Sequence, residues 1–200
     1  LAIIALALGI APPASAGSPT ETLKGYGDVV LKILEDPALR PPERKNERRA
    51  AVRKVAEDVF DLSETAKRAL GPHWQQRTPA EREEFIQLFA DLLESTYIAR
   101  IDEYGGERIR YVGEKIDGEN AVVQTRVQTR KGTEVPVEAR MLRRGDKWYI
   151  YDVILENVSL ISNYRAQFDK IIRTSSYGEL VKRLKDRKQT LPAPQPRAAR

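Results

Sequence analysis

The chain has 200 residues, 41% of them hydrophobic, which is enough for one ordinary domain with a sizeable core and room for a helical extension. Cysteine is absent and histidine occurs once, excluding a disulfide framework, a thiol nucleophile, Cys-based zinc and His-rich metal sites. A formal net charge of +5 favours an acidic partner: nucleic acid, an anionic membrane surface or an acidic protein.

Leu1 to Ile10 is an uncharged apolar run, followed by Ala11-Pro12-Pro13 and Ala14-Ser15-Ala16. That pattern predicts the h-region and A-x-A site of a secretory signal peptide over residues 1–16, with its charged n-region missing here. A membrane span needs about 20 apolar residues, more than this proline-interrupted stretch supplies. The mature chain is expected to begin near Gly17, no Cys follows for lipid attachment, and export argues against nucleic acid.

Glu21 to Leu34 is the first predicted helix, with Leu23, Tyr26, Val30, Ile33 and Leu34 on one stripe. Arg44 to Phe60 is the second, burying Val52, Val55, Val59 and Phe60. Its charged start, Glu43 to Arg49, reads as a solvated helix face or a contact for an acidic partner. A short helix restarts at Asp61-Leu62-Ser63 and is stopped by Gly71-Pro72. Thr78 and Glu81 form a capping box with Pro79 at the first helical position, predicting a helix to Tyr104 of about 40 Å. Its apolar residues, from Phe85 through Ile101 and Tyr104, cover more than one stripe. It should therefore lie on a sheet with helices on top, or line an interior space.

From Ile109 the period becomes two. Four strands are predicted over Arg108–Ile116, Ala121–Lys131, Glu134–Arg143 and Lys147–Val158, joined by short glycine-containing turns into an antiparallel meander. Val135, Val137, Ala139 and Met141 share one face, and Pro136 argues for an edge or a bulge. In the last strand Trp148, Ile150 and Ile154 are expected on one side and Tyr149, Tyr151, Val153 and Leu155 on the other. After Asn157 the period turns helical, through Ile161, Tyr164, Phe168, Ile171 and Ile172, with Ser159 or Ser162 as cap. Ser176 and Glu179 begin a final helix, and residues 189–200 are expected to form a disordered tail. Helices, then four strands, then helices give an α+β class, with one domain over residues 17–188.

Catalytic signatures are absent: there is no G-x-S-x-G elbow, P-loop or H-E-x-x-H. His73 sits in an interhelical loop. Asp152 interrupts an apolar strand, and a buried carboxylate needs partners; it reads as a structural acceptor, with catalysis the alternative.

The stretch from Trp148 to Phe168 also carries a family resemblance. Trp148, Ile150, Tyr151, Asp152, Val153, then Glu156, Val158, Ser159, Leu160, Ile161, Asn163, Tyr164, Arg165, Gln167 and Phe168 resemble the W-x-[VI]-Y-D-V…E-x-V-S-L-[IV]-x-N-Y-R-x-Q-F run of the MlaC-like family. These are the toluene-tolerance, or ABC-transporter auxiliary, proteins. Asn157 stands where the family usually has Gly, a departure Asn tolerates in a left-handed site. Phe60-Asp61-Leu62, Ala69-Leu70-Gly71-Pro72-His73-Trp74, Thr78-Pro79-x-x-Arg82-x-x-Phe85, Phe89-x-x-Leu92-Leu93-x-x-x-Tyr97 and Tyr104-Gly105-Gly106-Glu107 extend the likeness over Glu21 to Leu184.

The resemblance implies a curved four-stranded antiparallel sheet of the nuclear-transport-factor type, packed with helices around a deep apolar pocket. It implies a soluble periplasmic phospholipid carrier, not an enzyme and without cofactor or metal. Such a carrier would shuttle lipid between an inner-membrane ABC transporter complex and an outer-membrane lipoprotein complex. A diacyl lipid of about 30 chain carbons costs on the order of 20 kcal/mol to expose to water, so the pocket must shield nearly every methylene. On that basis Phe89, Leu93, Tyr97, Val123, Val127, Val137, Ala139, Ile150, Tyr164 and Phe168 are expected to line it. The alternatives are a hopanoid or other lipid cargo, an enzyme on the same fold using Asp152, and a lipid-free interaction module.

Overall fold

The computed structural model describes residues 17–97, 103–129 and 132–186; the expected signal peptide and tail lie outside them. Helix α1 (Pro19–Glu35) opens with a reciprocal cap. The Ser18 hydroxyl accepts the Glu21 N–H at 3.1 Å, and the Glu21 carboxylate accepts the Ser18 N–H at 3.0 Å. Such a box satisfies two of the donors a helix start leaves orphaned. A 3₁₀ turn over Pro42–Arg44 leads into α2 (Lys45–Val59), and α3 (Leu62–Leu70) follows with Asp61 as its N-cap. A second 3₁₀ segment, Gly71–Gln76, precedes α4 (Pro79–Tyr97). The Thr78–Glu81 box forms as expected, with hydrogen bonds of 2.7 and 3.2 Å.

Residues 98–102, the expected continuation of α4 including Ile101, lie outside the described residues. Tyr104 is not helical; its hydroxyl donates to the Glu35 carboxylate at 3.0 Å. The main packing of α4 is against α3 and α6, with its phenylalanine rings against α5, rather than on the sheet.

Four long strands, β1 (Arg108–Asp117), β2 (Asn120–Gln128), β3 (Glu134–Arg144) and β4 (Lys147–Leu155), pair in sequence order and antiparallel. A two-residue β5 (Val158–Ser159) adds a fifth strand to the expected four. Glu156 and Asn157 form the turn between β4 and β5, both at positive φ (48° and 65°), so Asn157 does take the left-handed conformation. Then come α5 (Leu160–Thr174), capped by Ser159, and α6 (Tyr177–Lys185), capped by Ser176. Bulges at Val112 in β1 and Tyr151 in β4 break the register and bend the strands.

The Tyr151 bulge corrects the expected facing of β4. Met141 pairs with Ile150, but Arg140 pairs with Asp152 and Ala139 with Val153. One residue is therefore skipped, and parity inverts along the strand. Trp148, Ile150, Val153 and Leu155 share what we call the inner face, with Asp152 and Ile154 on the outer face. Pro136 sits in an interior strand, but just beyond the last β3–β4 pair, Val137–Leu155. Its flank toward β4 is thus a local edge, and its carbonyl accepts the Glu156 N–H at 3.2 Å.

Two hydrophobic clusters result. On the inner face, Ala121, Val123, Ala139, Met141, Trp148 and Ile150 are buried with Val59, with Leu23 and Tyr26 of α1 packed against them. Gly27 permits the close approach of α1: a Cβ there would stand 2.9 Å from the Tyr111 hydroxyl of β1. The second cluster lies among the helices, where α3, α4, α5 and α6 enclose Ala66, Leu70, Phe85, Phe89, Tyr164, Phe168 and Leu180. It is joined to the sheet along β4. Phe60 forms a parallel bridge with Ile150, and the Asp61 N–H donates to the Ile150 carbonyl at 2.9 Å.

Candidate functional site

The inner face of the sheet is divided along its length. Toward the β3–β4 turn, α1 and α2 cover it. Toward the other end, register places Val127 opposite Val135, Thr125 opposite Val137, and Val137 opposite Leu155. All are on one face, and there the surface opens into an apolar cleft of about 370 Å³ lined by Val127, Val135, Val137, Leu155 and Glu156. Ile109, paired with Val127, is 37% exposed and extends the same apolar surface onto β1. Thr125, the polar residue of this row, is buried but satisfied, its hydroxyl donating to the Val137 carbonyl at 2.9 Å. A volume in the range of ligand pockets, lined by branched aliphatic side chains, can take a chain of methylenes and offers little to a polar molecule.

Of the residues expected to line a pocket, Val127 and Val137 stand in this cleft. Val123, Ala139 and Ile150 lie on the same face but deeper, buried beneath α1 and α2. Phe89, Tyr164 and Phe168 belong to the helical cluster, with Leu93 and Tyr97 on its flank. There Phe89 meets Tyr164 and Phe168 edge-on at 5.3 Å between centroids, and Phe168 meets Phe85 at 5.6 Å, the geometry aromatic quadrupoles favour. The Tyr164 hydroxyl is buried toward Thr96 and Tyr97 without a well-formed hydrogen bond. Burial raises its pKa, so the phenol stays neutral. Val135, Leu155 and Glu156 were not singled out from sequence. Val135 was legible as the partner of Val137 on its face, whereas Leu155 was hidden by the bulge.

Asp152 is 4% exposed and fully engaged. Its carboxylate accepts from the Ser159 hydroxyl at 2.6 Å and the Ile161 N–H at 3.1 Å, with Arg140 at 3.5 Å. It fixes the first turn of α5 to β4, the structural acceptor expected for it. His73 also has a local partner, the Asp169 carboxylate at 2.8 Å. Among the described residues no group of three or more His, Cys, Asp or Glu side chains could hold a metal ion, and no helix is long and apolar enough to cross a membrane.

The architecture is that of an α+β protein in which helices pack on a curved antiparallel sheet with an apolar cleft on its inner face. The family model described as "MlaC protein" matches residues 25–186, and the chain belongs to that family. The intermembrane phospholipid transport system binding protein MlaC of Haemophilus influenzae is 26% identical over 137 residues, 66% of this chain and 60% of that protein. The match thus spans less than two thirds of the length of that relative. The phospholipid-binding protein from Ralstonia solanacearum, solved in complex with a phospholipid, superposes with a TM-score of 0.74 at 26% identity. That superposition covers 87% of this chain and 97% of the other.

Proposed function

We propose that the chain is a periplasmic carrier that holds the acyl chains of a phospholipid against the inner face of its sheet and passes the lipid between membrane complexes. The observation that carries this reading is the aliphatic cleft at Val127, Val135, Val137 and Leu155. The solved relative from Ralstonia solanacearum, with its bound phospholipid, supports it. The cleft would receive the first part of the chains. Val123, Ala139 and Ile150 continue the same apolar row, so deeper insertion would follow if α1 and α2 swing away from the sheet. Phe89, Leu93, Tyr97, Tyr164 and Phe168 would line the helical side of the widened pocket.

The headgroup would remain at the mouth, where Glu156 is exposed. Transfer between two sites that both shield the chains is close to thermoneutral. The carrier therefore needs neither nucleotide nor catalytic side chain, and the occupied hydrogen bonds of Asp152 fit a role in folding. Energy for directional transport would come from an inner-membrane ABC transporter complex, with an outer-membrane lipoprotein complex at the other end. Export would be directed by residues 1–16. The deciding experiment is mass spectrometry of an organic extract of the purified mature protein, before and after incubation with liposomes. Stoichiometric phospholipid is expected. A hopanoid would keep the carrier and change its cargo; an empty extract in both cases overturns the reading.

A further inference from the structure

We propose a second binding site, for a phosphate group, in the basic cleft between α3 and α5 on the outer face of the sheet. The cleft encloses about 430 Å³, and Lys67, Arg68, Arg140 and Arg165 line it beside only two carboxylates, Glu64 and Asp152. Two positive charges are thus in excess, which a phosphate group neutralises in whole or part.

The carboxylates do not occupy the cations fully. Asp152 is held by Ser159 and Ile161, leaving Arg140 at 3.5 Å with 42% of its side chain exposed. Glu64 is shared among Arg68 at 2.8 Å, Lys67 at 3.4 Å and Arg144 at 3.6 Å. Arg165 has no ion pair among the described residues.

Local packing aims the guanidinium groups. Arg68 lies 4.0 Å from the centre of the Tyr151 ring, a cation–π contact that holds it flat. Arg165 crosses the end of α3 over Gly71, where a Cβ would stand 2.7 Å from its Nε, and Gly71 itself is at φ +57°. Any other residue there would displace the arginine and strain the backbone. Donors therefore come from α3, β3 and α5, with Ser162 beside them. Approach from several sides suits a tetrahedral oxyanion, and guanidinium forks match its edges.

The site is not the mouth of the lipid cleft. Arg140 alternates with Val137 and Ala139 along an unbroken stretch of β3, so the two clefts open on opposite faces of the sheet. A lipid held by its chains on the inner face cannot place its own phosphate here. The ligand is a second phosphate group, from a soluble phosphate ester or from the headgroup of a lipid still in a membrane.

Isothermal titration of the full chain with inorganic phosphate, glycerol 3-phosphate, and phosphatidylcholine vesicles with and without phosphatidylglycerol tests this. Saturable binding of a phosphate probe is expected, weakened at least fivefold by Arg165→Gln and by Lys67→Gln and unaffected by Arg44→Gln, which lies outside the cleft. Response to the soluble probes identifies a free ester as the source, and response to phosphatidylglycerol vesicles alone identifies the membrane. No saturable binding, a smaller change in both cleft variants, or binding of acetylated hexaglutamate without any phosphate probe overturns the proposal. The variants should leave the lipid extract unchanged, so failure here is separable from failure of the carrier reading.

Discussion

The Asp152 carboxylate accepts the Ile161 N–H at 3.1 Å, tying the first turn of α5 to the outer face of β4. The same carboxylate takes the Ser159 hydroxyl at 2.6 Å, and Ser159 in turn caps the helix through the Ser162 N–H at 2.9 Å. Removing the charge weakens the two links made by the carboxylate, because an anionic acceptor makes the stronger hydrogen bonds, and it leaves the Ser159 cap less firmly oriented. Asp152→Ala should cost about 1–3 kcal/mol, the range for leaving buried donors unpaired, and Asp152→Asn less. Urea denaturation measures both. Protein that remains folded should still carry lipid, which an enzymatic role for Asp152 does not require.

Val127 faces the apolar cleft and Arg126, its neighbour, the opposite side. Val127→Glu would place a carboxylate among methylenes, where an unpaired charge is strongly unfavourable. Lipid retention should be lost while circular dichroism stays near native; Arg126→Gln should retain lipid. Retention in Val127→Glu would remove that residue from the pocket.

Phe168 touches Phe85, Phe89 and Tyr164 and is fully buried. Phe168→Ala should lower stability by about 3–5 kcal/mol through lost transfer energy and the cavity left behind. Thermal melts with and without added phospholipid then separate two roles. If the ring only packs, lipid should stabilise variant and wild type equally. If it also lines the pocket, the variant should gain less.

Asp169 has its pKa lowered chiefly by the hydrogen bond with His73, aided by Arg173. A carboxylate depressed in the folded state contributes stability above its unfolded pKa and loses it as pH falls through the folded value. The urea midpoint should therefore drop on acidification below about pH 4, the ordinary range of an aspartate. His73→Gln should flatten that part of the curve. An unchanged profile would show that the pair adds nothing measurable.

Element order and type were readable because local signals agreed: the capping boxes, the change of period at Ile109 and the glycine turns of the meander. The long helix was harder. The wide apolar face of α4 suggested a place between sheet and helices or along an interior space; in the structure a hydrophobic cluster shared with α3, α5 and α6 covers much of it. Strand facing failed at Tyr151, because a single inserted residue inverts parity and no residue type announces it. That one error concealed Leu155. The expected lining is divided between two clusters for a different reason, because the aromatic residues of α4 and α5 pack among the helices. The outer basic cleft was invisible in the sequence for a related reason: Lys67, Arg140 and Arg165 are far apart along the chain and meet only when α3 and α5 close on β4.

The bridge between Phe60 and Ile150 bears on self-association. It occupies the flank of β4 that β5 leaves uncovered, so that rim is closed to a foreign strand. The opposite rim, β1, is interrupted by a bulge at Val112 and carries Arg108, Arg110, Glu114 and Lys115. Kinks and charges of this kind discourage edge-to-edge polymerisation. The apolar cleft on the inner face can in this way stay open without the sheet joining edge to edge with its own copies.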